Sequence, residues 1–182
     1  MTALPTTIAA RVWTFGDDIN TDLMVPGPVV YASEELQKRA VFSASRPGWV
    51  DMVTPGDIMI VGRNFGTGSS RPAARSLRNV GIACLLAEST NGLFFRNAVN
   101  FGFLALDCPG VTAAFDEGDT AEVSIEALTA RNSRTGTVLK LKPIPPHLLT
   151  MMQSGGVFPF LEKRGLIGPA QIAASTASRG SS

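Results

Sequence analysis

The chain has 182 residues, 45% of them hydrophobic and 17% charged, with 16 Lys plus Arg against 15 Asp plus Glu for a formal charge of +1. That length closes one good core but not two full domains, and so even a charge balance sets up no long-range field to gather nucleic acid or an anionic membrane. No run approaches the roughly 20 apolar residues a membrane span needs, and MTALPTTIAA lacks the basic start and apolar centre of a signal peptide, so the expected address is the cytoplasm.

Residues 1–10 read as an N-terminal extension, after which Arg11 to Phe15 alternate as a strand does. The next stretch, GDDINTDLMVPGP, is rich in Gly, Asp, Asn and Pro and reads as a long acidic loop. Its acids Asp17 and Asp18 are of the kind that hold a turn or stay solvated. Ser33, Glu34 and Glu35 open a short amphipathic helix whose acids suit its positive end, with Leu36, Ala40 and Val41 as its apolar side. SRPGWVDMVTPGD then returns to loop. Asp57 to Gly62 is a brief apolar run between turn formers, the mark of a buried parallel strand, and it feeds directly into RNFGTGSSRP. A helix over Pro72 to Val80 is predicted next: proline is tolerated in a first turn, Ala73, Leu77 and Val80 share a face, and Gly81 can form a left-handed cap.

Ile82 to Ala87 is a second buried strand, GLFFRNAVN a second helix and Phe103 to Leu106 a third strand, which makes a β-α-β-α-β run. The pattern then changes. FDEGD and NSRTG look like hairpin turns, and AEVSIEAL and TVLKLKPI like flanking strands that pair antiparallel, so a small additional β-layer joins an α/β core of parallel strands and helices. Pro145 to Met152 starts with prolines and is spaced for one short terminal helix. A single domain over 11–170 and a flexible tail over 171–182 complete the chain. Cys84 and Cys108 form no CxxC pair and are expected to pack as small core residues, so no metal ligand is assigned to this chain.

Asn64-Phe65-Gly66-Thr67-Gly68-Ser69-Ser70-Arg71 falls between the apolar strand and the helix, where backbone N–H groups at a helix tip favour negative charge. Gly66 and Gly68 allow close backbone approach, Ser69 and Ser70 add hydroxyls, and Arg71 offers a planar fork that matches a carboxylate. A P-loop would need a lysine before the Ser/Thr and wider glycine spacing, and a dinucleotide fingerprint a third glycine where Arg71 stands. The string alone leaves open an anion site, as in a phosphate- or nucleotide-binding α/β module, and a plain strand-to-helix turn capped by serine. A Ser-His-Asp nucleophile finds no support, because His147 is the only histidine and sits at a proline-flanked helix start.

NFGTGSSR, followed by AESTNGLFFRNAVNFG and preceded by GDDINTD, resembles the small subunit of 3-isopropylmalate dehydratase and the matching swivel domain of aconitase, over roughly residues 11 to 165. The resemblance implies an aconitase-type swivelling β/β/α domain and a hydro-lyase subunit that isomerises a malate-type hydroxy acid, a small di- or tricarboxylate, by dehydration and rehydration. It implies that Ser69 is the base for the carbon next to a carboxylate, that Ser70 and Arg71 bind substrate, and that Asp22, in the TD motif, stands at the edge of the site. A serine hydroxyl is a very weak acid, so such a base needs strong stabilisation of its alkoxide. Expelling hydroxide further demands a Lewis acid or strong general acid. The resemblance supplies it through a large aconitase-like subunit holding a [4Fe–4S] cluster on three cysteines, which the two cysteines here cannot replace, so activity is expected only in the heteromer.

Two departures stand out from that family. Pro72-Ala73 occupy the place of its common Glu-His, and Pro26-Gly27-Pro28-Val29-Val30-Tyr31 the place where short-form isopropylmalate enzymes often read PGRYL. The resemblance makes Pro28, Val29, Val30 and Tyr31 a specificity loop, here stiffer and more apolar. Dehydratases or hydratases of methylmalate-, dimethylmalate- or maleate-like diacids fit the same catalytic parts.

Overall fold

The structure, a computed structural model, describes residues 6–68 and 71–168. Strand β1 (Thr7–Thr14) comes first. Thr7 to Ala10, expected to be extension, are strand because they pair with a later antiparallel segment. Within the expected acidic loop, the Asn20 side chain accepts from the Asp22 and Leu23 N–H groups and starts one turn of helix, α1 (Thr21–Met24), followed by a 3-10 turn at Gly27–Val29. Helix α2 (Glu34–Ala40) lies where the sequence predicts one, and the Ser33 side chain caps it by accepting from the Leu36 N–H. Its phase differs from the apolar expectation: Leu36 is 54% exposed, whereas Gln37 is buried. A further single turn, α3 (Trp49–Met52), lies where only loop was expected and buries Trp49 completely.

The β-α-β-α-β run is present as β2 (Ile58–Val61), α4 (Ala73–Val80), β3 (Cys84–Ala87), α5 (Gly92–Phe101) and β4 (Leu104–Asp107). Gly81 closes α4 in the left-handed conformation at φ 113, as its position suggested. All four residues of β2 and of β3 are buried, each large apolar side chain among them worth about 1.5–3 kcal/mol in transfer from water. Cys84 and Cys108 are free and buried, and burial pushes both thiols up to about 12.

The last part of the chain forms α6 (Val111–Ala114), β5 (Thr120–Ser124), β6 (Thr129–Asn132), β7 (Val138–Lys140), α7 (Pro146–Gln153) and α8 (Val157–Lys163). NSRTG does turn a hairpin, but between β6 and β7, and FDEGD joins α6 to β5 instead of two strands. AEVSIEAL and TVLKLKPI therefore do not pair with each other, since β6 lies between them. Its sequence TARN carries little apolar signal, yet Ala130 and Asn132 are both fully buried. Asn132 is satisfied there by donating to Ala114 O at 2.8 Å and to Asp119 Oδ2 at 2.7 Å. One terminal helix was expected; α8 is the second. The predicted tail over 171–182 lies outside the described residues.

Among the described residues, all strands join in one seven-stranded sheet of order β4-β3-β2-β1-β5-β6-β7. β1 to β4 are parallel neighbours, and β5, β6 and β7 are added antiparallel. The added β-layer thus grows from the parallel core through β1, which pairs with β5 over Thr7–Arg11 and with β2 over Val12–Thr14. Among the described residues no helix is long and apolar enough to cross a membrane.

Candidate active site

In an open parallel sheet the loops leaving the carboxyl ends of the strands are the usual place for a ligand. Three such loops are laced together here. From β1 to β2, Gly66 N–H donates to Ile19 O at 2.7 Å, Thr21 N–H to Thr67 O at 2.8 Å and Asp18 N–H to Arg63 O at 2.9 Å. Asp17 accepts from the Arg63 N–H at 2.7 Å and Asp18 from the Asn64 amide at 2.9 Å, so both acids hold the turn. From β2 to β3, Phe65 N–H donates to Ser89 O at 3.1 Å and Asn91 N–H to Phe65 O at 2.8 Å. Gly66 is required at the crossing: its φ is +83, and a Cβ there would lie 2.2 Å from Cβ of Phe94.

This lacing brings together Asp22, on α1, and Arg71, just before α4. Arg71 Nη2 lies 2.7 Å from Asp22 Oδ1, and Nη1 donates to Val25 O at 2.5 Å. The Arg71 side chain is only 18% exposed while that of Asp22 is 59% exposed, so the cation is fixed and the carboxylate is at the rim. Ser69 and Ser70 lie outside the described residues; in sequence they fall between Gly68 and Arg71.

At the tip of α4, Ala73 N–H donates to Arg71 O at 2.7 Å and Ala74 N–H to Asn97 Oδ1 at 3.0 Å, so these two donors are engaged within the chain. The Arg71 guanidinium brings a full positive charge to this edge. Asn97 sits on α5, and nothing in the local pattern of GLFFRNAVN marks it as the cap of another helix.

The segment expected to set specificity follows α1 directly. Pro28 and Tyr31 are exposed, Tyr31 at 95%, and Val29 and Val30 are partly buried. Because Val25 immediately precedes it, the bond from Arg71 to Val25 O ties its start to the same edge. His147 is exposed in the first turn of α7, which suits a surface role.

Sequence reasoning missed Glu88, at the end of β3. It accepts from Gly110 N–H at 2.8 Å, Thr112 N–H at 3.0 Å and the Thr112 hydroxyl at 2.8 Å. Burial raises its pKa, but these donors and the nearby charge of Arg63 outweigh that and hold the carboxyl below its ordinary range. Only the placement of AES at a strand end could have signalled it. A cleft of about 540 Å³ is lined by Thr14, Asp17, Gly62, Thr112 and Glu117 among others; neither Asp22 nor Arg71 lines it.

Residues 30–110 match the model of the aconitase C-terminal domain family. The isopropylmalate/citramalate isomerase small subunit of Methanocaldococcus jannaschii is 38% identical over 159 residues, covering 86% of this chain and 95% of that one. The homoaconitase small subunit of Thermus thermophilus is 37% identical over 161 residues, covering 85% and 96%. A crystal structure of 3-isopropylmalate dehydratase from Methanocaldococcus jannaschii superposes with a TM-score of 0.82 at 26% identity, covering 88% of this chain and 96% of that one.

Proposed function

Since the chain belongs to the family of 3-isopropylmalate dehydratase and homoaconitase small subunits, we propose that Ser69 and Arg71 complete the active site of a heteromeric hydro-lyase for isopropylmalate-type substrates. The observation that carries this reading is the 2.7 Å pair of Arg71 with Asp22, which joins the GSSR loop and the TD loop at one exposed edge. Two residue types that serve carboxylate chemistry meet there although they are far apart in sequence.

In this reading Arg71 binds a substrate carboxylate. A guanidinium has donors beyond the two that reach Val25 and Asp22. Ser70 adds a hydroxyl, and Ser69 takes the proton from the carbon next to that carboxylate. Arg71, two positions on, supplies the positive charge that makes a serine alkoxide accessible. Asp22 keeps the guanidinium oriented before substrate arrives.

Departure of hydroxide needs help from outside the chain. Among the described residues no three His, Cys, Asp or Glu side chains group as metal ligands, and Cys84 and Cys108 are core thiols held protonated by burial. These residues do not fit a [4Fe–4S] cluster, so in the proposal the cluster resides on the large subunit, where it supplies the Lewis acidity that hydroxide departure requires. A phosphate- or nucleotide-binding module is not favoured, because the relatives that match most of the chain are dehydratase and homoaconitase small subunits.

The test is co-expression with a large subunit under anaerobic conditions. The chain alone should be inactive and the complex active. Ser69→Ala should lower turnover by roughly 10²–10⁴-fold, the range for loss of a general base, with the complex still assembling. Retention of most of the activity would remove Ser69 from its role.

A further inference from the structure

We infer that Gln37 is a positioning residue for substrate selectivity, acting through the loop that contains Val29, Val30 and Tyr31; the inference rests on the specificity role that the family resemblance implies for that loop. A glutamine with 3% exposure in the middle of α2, beside an outward-facing leucine, demands an explanation. Burying an amide is unfavourable unless its donors and acceptor are used. All are used here, and on two different elements.

The Gln37 amide nitrogen donates to Val30 O at 2.8 Å and to Ala32 O at 3.2 Å. Its oxygen accepts from Arg75 Nη2 at 3.0 Å. Arg75 is itself fixed: Nη1 lies 3.1 Å from Glu34 Oε1, the guanidinium is 5.4 Å from the Phe101 ring, and its side chain is 22% exposed. Gln37 therefore fastens the far end of the loop to α4, one turn beyond Arg71.

The near end is fastened by Arg71 itself, through Val25 O. The segment from Pro26 to Ala32 is thus bracketed by two links, both leading to the chain of α4 and the residue that opens it. Between the links Tyr31 is 95% exposed and carries no anchoring of its own. The carbonyls of Val30 and Ala32, on either side of Tyr31, decide where that side chain and its valine neighbours stand relative to Arg71. A displacement on the order of 1 Å in a positioning element is enough to alter reaction rates by large factors.

The experiment uses the reconstituted heteromer and two malates, one carrying an isopropyl group and one a methyl group. Gln37→Leu removes every link, and Gln37→Glu keeps the size and the Arg75 partner while presenting oxygen to the Val30 and Ala32 carbonyls. Either variant should change the ratio of kcat/KM between the two substrates by roughly tenfold, within the discrimination that small apolar differences support. The change should appear mainly in KM, with assembly retained in Gln37→Glu at a lowered Tm, because a carboxylate oxygen then faces the two carbonyls. Should Gln37→Leu fail to assemble, Gln37→Glu alone decides the matter. Val29→Ala and Tyr31→Ala serve as controls on the loop. A ratio that shifts in these two but not in the Gln37 variants overturns the role of Gln37 and leaves the loop reading intact. A ratio that shifts in none of them overturns the loop reading, and the inference with it.

Discussion

Asp22 and Arg71 already neutralise each other before any substrate is bound, so the aspartate both orients the guanidinium and competes for it. With Asp22 59% exposed, the ion pair itself adds little to folding, on the order of 0–1 kcal/mol for a solvent-screened pair. Its value is geometric. Asp22→Asn should therefore leave Tm almost unchanged while lowering kcat/KM of the assembled enzyme by roughly 10- to 100-fold through loss of orientation. A large drop in Tm would instead make Asp22 a structural residue. At this scale the sequence was informative where residues have a motif and silent where they act across the fold. Ser69, Ser70, Arg71 and Asp22 stood out by resemblance, but nothing local indicated that Asn97 on α5 would take the Ala74 N–H. Glu88 lies within the AESTNG string, but its role was not legible there, since its donors come from Gly110 and Thr112, beyond the next strand.

Elements were read correctly where burial on both faces makes a continuous apolar run, as in β2, β3 and β4, and where a cap residue marks an end, as at Ser33 and Gly81. Reading failed where polar groups set the geometry. Counting apolar residues put Leu36 on the inner side of α2, whereas three hydrogen bonds turn Gln37 inward. The strand β6 was hidden because its buried Asn132 looks like a turn residue. The connection of the first two loops makes a further demand that sequence does not reveal: a Cβ on Gly62 would fall 1.9 Å from Asp17 Oδ1 and 2.7 Å from the Asp17 nitrogen. Gly62→Ala must push that turn away from Arg63, whose N–H Asp17 holds. We expect a loss of about 1–3 kcal/mol, typical of overpacking, measured by urea denaturation, together with a fall in activity of the assembled enzyme. Unchanged activity would mean that the β1 loop can shift without moving Asp22.

For the molecule as a whole, the decisive feature is that one strand serves two halves of the sheet. β1 changes partner between Arg11 and Val12, and two carboxylates clamp that seam. Asp57, preceding β2, accepts from Arg11 Nη2 at 2.6 Å, Trp13 Nε1 at 2.7 Å and Thr54 N–H at 2.9 Å. Glu117, preceding β5, takes two bonds from Arg46, which lies over the rings of Trp13 and Phe15. Burial pushes the Asp57 carboxyl up, but its donors outweigh that and hold it below its ordinary value; the Arg46 bonds hold Glu117 below its own. At neutral pH both are ionised in the folded and the unfolded chain, and the full stabilisation is present. As pH falls through these ordinary values the unfolded chain takes up protons that the folded chain still refuses, so stability declines until the folded groups also protonate. Asp57→Asn should cost about 1–3 kcal/mol at neutral pH, because one carboxylate acceptor is replaced by an amide donor facing Arg11 and Trp13. The difference from the unsubstituted chain should shrink as pH falls below the ordinary range of an aspartate carboxyl. Urea midpoints for both proteins from neutral pH down to about pH 2 would check this; curves that stay parallel throughout would place the acid sensitivity elsewhere than at the seam.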